Sequence, residues 1–339
     1  MEYTKDFRER EDLVDQLAHR GLTIPDKARA VRFLTRVGYF RSGAYRYVLR
    51  RPLPADLVNA DLRQYRSDDY VDGATFAHLE YLESFDSKLA RVCLEGLLDF
   101  EIRVRAAIAH TLASRNVAAH ASSRFLDAAK CEQAAGEGTK FDAWERTYRA
   151  AVKAAAEKED FVAHHLKKYP QQAVPIWAVT EALSFGDLPY LFDLMTAEDA
   201  RSVARQFGFE HPRKFGAVLR MMSDFRNVAA HGARLFNRAF KRALVLKSHE
   251  TREEWLDHLV EDGFTSTPKE RQRLYPYAAV LAFMLRSHVS GTNWHMTFKT
   301  QVKKFELGLM GADGHEVVSR ERNMGFPGAW ETLPLWTLQ

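Results

Sequence analysis

FAHLEYLESFDSKLARVCLEGLLDFEIRVRAAIAHTL, residues Phe76–Leu112, has no proline and a single glycine, Gly96. Its apolar residues recur at steps of three and four. Phe76, Leu79, Leu82, Phe85, Leu89 and Val92 make one stripe, which Leu97, Ile102 and Ile108 continue. That period is helical, so the stretch predicts one long helix or two nearly collinear ones. Gly96 marks a bend or a close helix crossing.

The same period extends outward in both directions. Glycine and proline are sparse, 18 and 11 in 339 residues, so the chain reads as mainly helical. Residues 1–50 hold two or three helices, one starting at Thr23 or Pro25 and breaking near Gly38 or Gly43. PLPADLVNADLRQYRSDDYVDG (52–73) reads as a loop with one short helix. Residues 122–140 read as a mobile connection, and helix resumes from Phe141 to about Tyr169. Then PIWAVTEALSFGDLPYLFDLM breaks at Gly186. Thr196 caps the next helix, with Asp199 three residues on. Pro212 suits the first turn of PRKFGAVLRMMSDF, whose stripe is Phe215, Val218, Leu219, Met222 and Phe225. KRALVLKSHE fits a helix end or a short strand, and YPYAAVLAFMLRSHV fits an apolar helix. The tail MGFPGAWETLPLWTL should strap onto the body through Trp330 and Trp336. The expected division is an N-terminal helical segment 1–70, a helical bundle 71–300 and a C-terminal strap 301–339.

Composition narrows the function classes. With 49 basic and 45 acidic residues, the net charge of +4 makes no bulk electrostatic case for nucleic acid or membrane. The two cysteines, Cys93 and Cys131, fall in no metal or redox spacing, and a reducing compartment is the simplest account. No apolar signal core and no bilayer-length apolar window are present. A soluble cytoplasmic protein is expected, without cofactor. His164 and His165 point to different faces of a helix and no carboxylate completes a set, so no metal site is expected.

One hexapeptide, RNVAAH, occurs twice, at Arg115–His120 and Arg226–His231. An arginine with a histidine five positions on suits RNA cleavage by the substrate's own 2′-OH. Histidine exchanges protons near neutral pH, and arginine offers a planar fork to the phosphate. The spacing alone carries little, since Arg105 and His110 have it too. Arg226 lies four residues after Met222, on the core-facing stripe, where a cation needs a partner. On an ideal helix its side chain stands roughly 140° from that of His231. The two meet only in a distorted turn, or across an interface between two copies. YFRSGAYRY (Tyr39–Tyr47) adds interleaved aromatics and arginines. Two accounts stay open for it: nucleic-acid stacking, or a buried aromatic anchor with arginine stems laid over it.

Several segments together resemble the Abi family of bacterial abortive-infection proteins, the AbiD and AbiF group. They are YFRSGAYRY, FDSKL (Phe85–Leu89), FEIRVRAAIAH (Phe100–His110), FVAHHLKKY (Phe161–Tyr169), PIWAVTEALSFGDL (Pro175–Leu188), FRNVAAHGARLFNR (Phe225–Arg238) and MGFPGAWETLPLW (Met324–Trp336). That family is similar to HEPN proteins, helical bundles whose R-x4–6-H motif marks metal-independent ribonucleases. The resemblance implies a HEPN-like bundle and catalytic roles for Arg226, Asn227 and His231, usually in a homodimer. It implies RNA as substrate, phage defence or a toxin-like role, and for some relatives a restraining small RNA. Arg115–His120 falls in a variable connection and reads as incidental. Glu101 and Arg105 share a helix face, as an intrahelical ion pair or as support for the cleft, with Glu101 bracing an arginine and Arg105 or His110 touching RNA. Glu181 is a further expected partner for Arg226. Arg234, Asn237 and Arg238 either bind RNA backbone or close the helix end. The rival readings are a non-catalytic protein holding a structured RNA, and a phage-sensing interaction partner.

Overall fold

Three short helices open the chain: α1 (Arg10–His19), α2 (Lys27–Val37) and α3 (Tyr39–Val48). The computed structural model describes residues 6–247, 250, 251, 254–260, 270–288 and 292–338. Asp26 caps α2 by accepting from the Arg29 amide at 2.8 Å, so the helix starts two residues after the expected Pro25. The break falls at Gly38, whose φ of 86° turns the chain directly into α3, and Gly43 stays helical. A small antiparallel hairpin follows, β1 (Arg50–Pro52) with β2 (Arg66–Tyr70). The residue pattern of this region predicts no strand, because segments of three and five mostly polar residues carry no apolar alternation.

The long stretch forms α4 (Phe76–Ala113), a single helix of 38 residues. A capping box starts it. Thr75 Oγ1 accepts from the His78 amide and His78 Nδ1 accepts from the Thr75 amide at 3.1 Å. Its buried row runs Phe76, Leu79, Leu82, Phe85, Leu89, Cys93, Leu97, Phe100, Val104, Ile108 and Leu112. Ile102, expected in that row, is 65 % exposed, because two residues after Phe100 it has rotated to the far side. Gly96 is a close crossing and not a bend. A Cβ there would meet the Trp294 indole at 2.5 Å. The Trp294 Nε1–H donates to the Val92 carbonyl at 2.7 Å.

The remaining helices are α5 (Ala128–Cys131), α6 (Lys140–Ala156), α7 (Asp160–Lys168), α8 (Ile176–Ala182), α9 (Leu188–Leu194), α10 (Ala197–Gln206), α11 (Pro212–Ala230), α12 (Leu274–His288), α13 (Trp294–Lys303) and α14 (Arg320–Met324). Helices α3, α8, α10, α11, α12 and α13 all pack on α4, which is the axis of a mainly α fold. Thr196 caps α10 and Pro212 opens α11, as their positions imply. The segment 122–140 is docked. The Asp127 amide donates to Leu194 O at 2.9 Å, the Lys130 ammonium to Met195 O at 3.0 Å, and Leu126 and Cys131 are buried. Trp330 and Trp336 are buried in an aromatic cluster with Tyr275, Phe298 and Phe326, so the tail straps onto α12 and α13. Residues 241–247 are irregular apart from a bridge of Leu246 with Val260, and Ser248 and His249 of KRALVLKSHE, like Val289 after α12, lie outside the described residues. No described helix is long and apolar enough to cross a membrane.

Candidate functional site

The second hexapeptide ends α11. Phe215, Val218, Leu219, Met222 and Phe225 bury one face of that helix and bring Arg226 against the middle of α4. There Glu101 takes both arginines. One carboxylate oxygen accepts from Arg105, and the other accepts from Arg226 Nε at 3.1 Å. The Glu101 side chain keeps 7 % of its surface in contact with solvent. Arg105 is buried too, and its Nη1 also donates to the carbonyls of Thr180 and, at 2.9 Å, Leu183. A carboxylate in this position stabilises only because both oxygens are used; removing it leaves two uncompensated cations.

Arg226 differs from Arg105 in what remains free. Its side chain is 31 % exposed, and its Nη groups bond nothing among the described residues. Nε is fixed and the outer edge of the fork is open. Glu181 does not partner it. That residue sits exposed on α8, whereas the expectation, drawn from the family resemblance of WAVTEALSFG, required it to be buried near Arg226. The anchor is one helix away, on α4.

The helix stops at a Schellman turn. Gly232, at φ 59°, donates to Ala229 O at 3.1 Å, and Ala233 donates to Val228 O at 3.0 Å. His231 is the C-cap, exposed, with its amide on Asn227 O at 3.1 Å. Asn227 is exposed one turn earlier. Helix continues through Ala230, so within one chain no distorted turn joins the two functional groups, and no hydrogen bond links Arg226 to His231 among the described residues.

The segment leaving this turn is fastened from two sides. Asp86, buried on α4, accepts from the amides of Leu235 at 3.1 Å and Phe236 at 2.6 Å and from the Tyr45 hydroxyl at 2.6 Å. Burial pushes its carboxyl up, and these three donors pull against that. Arg41 of α3 donates to Gly232 O. Arg234 donates to Asn237 O at 3.0 Å, Arg238 to Arg234 O at 3.3 Å, and Asn237 Oδ1 accepts from Arg273 at 3.0 Å. Burial lowers the Arg234 pKa, with Asp86 opposing. These three residues bond within the turn and help close it. His110 is exposed on α4, while the guanidinium of Arg105 is committed inside.

The first hexapeptide has a different shape. After α4 ends at Ala113, Arg115 pairs with Asp199 at 2.9 Å and with Glu198 at 2.6 Å, across to the start of α10. Those carboxylates raise its pKa. His120 lies in a 3-10 turn, wholly buried, edge-on to Tyr148 with ring centroids 5.1 Å apart. Neither ring nitrogen has a partner among the described residues, and burial lowers its pKa to about 4. This copy is structural. No group of three or more His, Cys, Asp or Glu suited to a metal ion occurs among the described residues, His164 and His165 included.

A family model described as Abi-like protein matches residues 32–237. The chain belongs to the Abi-like family. The matched span runs from α2 to Asn237, enclosing both hexapeptides, Glu101 and Asp86, and membership assigns an abortive-infection, phage-defence role. No curated protein and no solved structure matches this Abi-like chain. Sequence reasoning missed Asp86 and Gly232; Arg41 and Tyr45 it singled out within YFRSGAYRY, without their link to this turn. The signal for Asp86 was present: it stands four residues after Leu82 and three before Leu89, a carboxylate on an apolar stripe that requires donors.

Proposed function

We propose that this Abi-like protein is an endoribonuclease that cuts RNA by 2′-OH attack and works as a homodimer. The observation that carries this reading is the state of Arg226, held through Nε by a buried carboxylate with its outer edge open, on the helix that ends in exposed His231. In the reaction, one imidazole takes the proton from the 2′-OH, whose oxygen attacks the adjacent phosphorus. The P–O5′ bond breaks, and a protonated imidazole gives its proton to the departing oxygen. The products are a 2′,3′-cyclic phosphate and a 5′-hydroxyl. Arg226 neutralises charge on the phosphate, and Asn227 orients the phosphate or the histidine. Two imidazoles in opposite protonation states are needed, and one chain supplies one at this site. Exposed Leu98 and Ile102, flanking Glu101 on α4, offer apolar surface for a second copy.

The test is His231→Ala, with products analysed for cyclic phosphate ends. Cleavage and growth inhibition should vanish while RNA binding persists, and unchanged toxicity would reject the reading. A second reading, a protein that holds a folded RNA without cutting it, draws on the separation of Arg226 from His231 within one chain. It requires wild-type protein to leave RNA intact.

A further inference from the structure

YFRSGAYRY is only partly explained by the site above. Tyr45 and Arg41 serve the turn after His231, whereas Tyr39, Phe40 and Arg46 face another way, toward α1 and the hairpin. They line a cavity of about 750 Å³ together with Arg20, Arg50 and Asp68.

Its charge is unbalanced. Asp68 is the acceptor for both Arg20, at 2.8 Å, and Arg50, at 3.0 Å. Arg46 has no carboxylate among the described residues. It is 3 % exposed, and its one well-aligned hydrogen bond runs from Nη2 to the Tyr39 carbonyl at 2.7 Å. Nε and Nη1 are buried without a hydrogen-bond partner among the described residues, as is Arg50 Nε. Burial raises the pKa of the neighbouring Tyr70 hydroxyl, while the charge and hydrogen bonding of Arg46 oppose that rise; Tyr70 thus offers Arg46 a neutral oxygen and no carboxylate. Gly43 clears the space, since a Cβ there would stand 3.3 Å from Arg46 Nη2. The Arg46 guanidinium stacks 3.8 Å above the Tyr39 ring, which orients its plane. Arg8 and Asp6 also line the cavity, so four guanidiniums stand against two carboxylates and leave two positive charges, and buried cations lacking acceptors are costly unless a ligand supplies them.

The second half of the recognition stands at the rim. Phe40 is 98 % exposed on α3, an aromatic ring that does nothing for the core. An anion of charge near two beside a free aromatic face describes a phosphate monoester attached to a flat base.

We infer that this cavity is a nucleotide site, in which Arg46 and Arg50 take a terminal phosphate and Phe40 stacks the attached base. The ligand is a free mononucleotide or the phosphorylated end of an RNA strand; the chemistry is shared. A phosphodiester within a strand brings one charge and less satisfies the site. This site is separate from Arg226 and His231 and does not depend on their cutting RNA.

Titration calorimetry on the full chain tests it, with adenosine, its 5′- and 3′-monophosphates, and short 2′-O-methyl oligoribonucleotides bearing 5′-phosphate, 3′-phosphate or only hydroxyl ends. The 2′-O-methyl group prevents cleavage. At least one phosphorylated form should bind about tenfold or more tightly than its hydroxyl counterpart. Phe40→Ala, on a fully exposed side chain, should weaken that form about tenfold and leave inorganic phosphate unaffected. Arg46→Lys, checked for folding by circular dichroism, should weaken every phosphate ligand. Response to the monophosphate alone would assign a free nucleotide, and response to both would assign a strand end. Equal binding of phosphorylated and hydroxyl forms, indifference to both substitutions, or equal competition by a hexaglutamate peptide would overturn the assignment.

Discussion

Glu101→Gln isolates what the shared carboxylate does. The side chain keeps its shape, loses its charge and exchanges one acceptor oxygen for an NH2 donor. Both present bonds, to Arg105 and to Arg226 Nε at 3.1 Å, are charge-assisted. Weakening a charge-assisted bond to a neutral one costs about 1 kcal/mol, and one arginine must in addition face a donor. Arg105 is buried, so its share counts in full, whereas that of Arg226 is reduced by solvent. The sum is about 2–4 kcal/mol, below the ~3–5 kcal/mol of an outright broken buried pair. Urea denaturation should show the midpoint lowered with an unchanged slope. Cleavage should fall about a hundredfold, since a misplacement of the fork by about 1 Å has that effect, although His231 is untouched. In a double-mutant cycle, Arg226→Gln should add little to the cleavage defect once Glu101 is replaced. A Glu101→Gln variant with wild-type midpoint and wild-type cleavage would refute the reasoning.

Other substitutions draw on the same contacts. Asp86→Ala leaves two buried amides and a phenol without an acceptor and should cost about 3–5 kcal/mol in urea denaturation, against about 1 kcal/mol for Tyr45→Phe. Gly96→Ala drives a methyl into the Trp294 indole and should cost about 1–3 kcal/mol, seen as a lowered melting temperature. His120 binds its proton near pH 4 in the folded state and near 6.5 when unfolded. The unfolded chain therefore takes up the proton first, so this contribution is whole above about pH 6.5 and is lost as pH falls toward 4, about 3 kcal/mol in all. His120→Leu gives up no ring hydrogen bond seen among the described residues and should flatten the stability profile across that window, with His258 and His295 leaving a residual slope in the same direction.

Much of this was legible in the residues. The period of α4 and α11, the Thr196 cap and Pro212 follow from local chemistry that tertiary contacts reinforce. What failed was what local chemistry does not determine. Glu101 was expected to brace an arginine and Glu181 to partner Arg226, and only the crossing of α4 with α11 makes Glu101 the partner of Arg226. The hairpin was missed because its residues carry no period. Ile102 was misplaced because a stripe drawn with mixed steps drifts across the boundary between two faces.

The plainest case is the repeated hexapeptide. Identical letters are helical up to a histidine C-cap on the surface in one place, and a turn with a buried histidine in the other. Under the proposed mechanism, a survival screen over random variants would score a destabilising change at His120 and any change at His231 alike, as loss of protection. Only the soluble yield of each variant would separate a lost scaffold from lost chemistry, and a search for defence nucleases by motif alone inherits the same ambiguity.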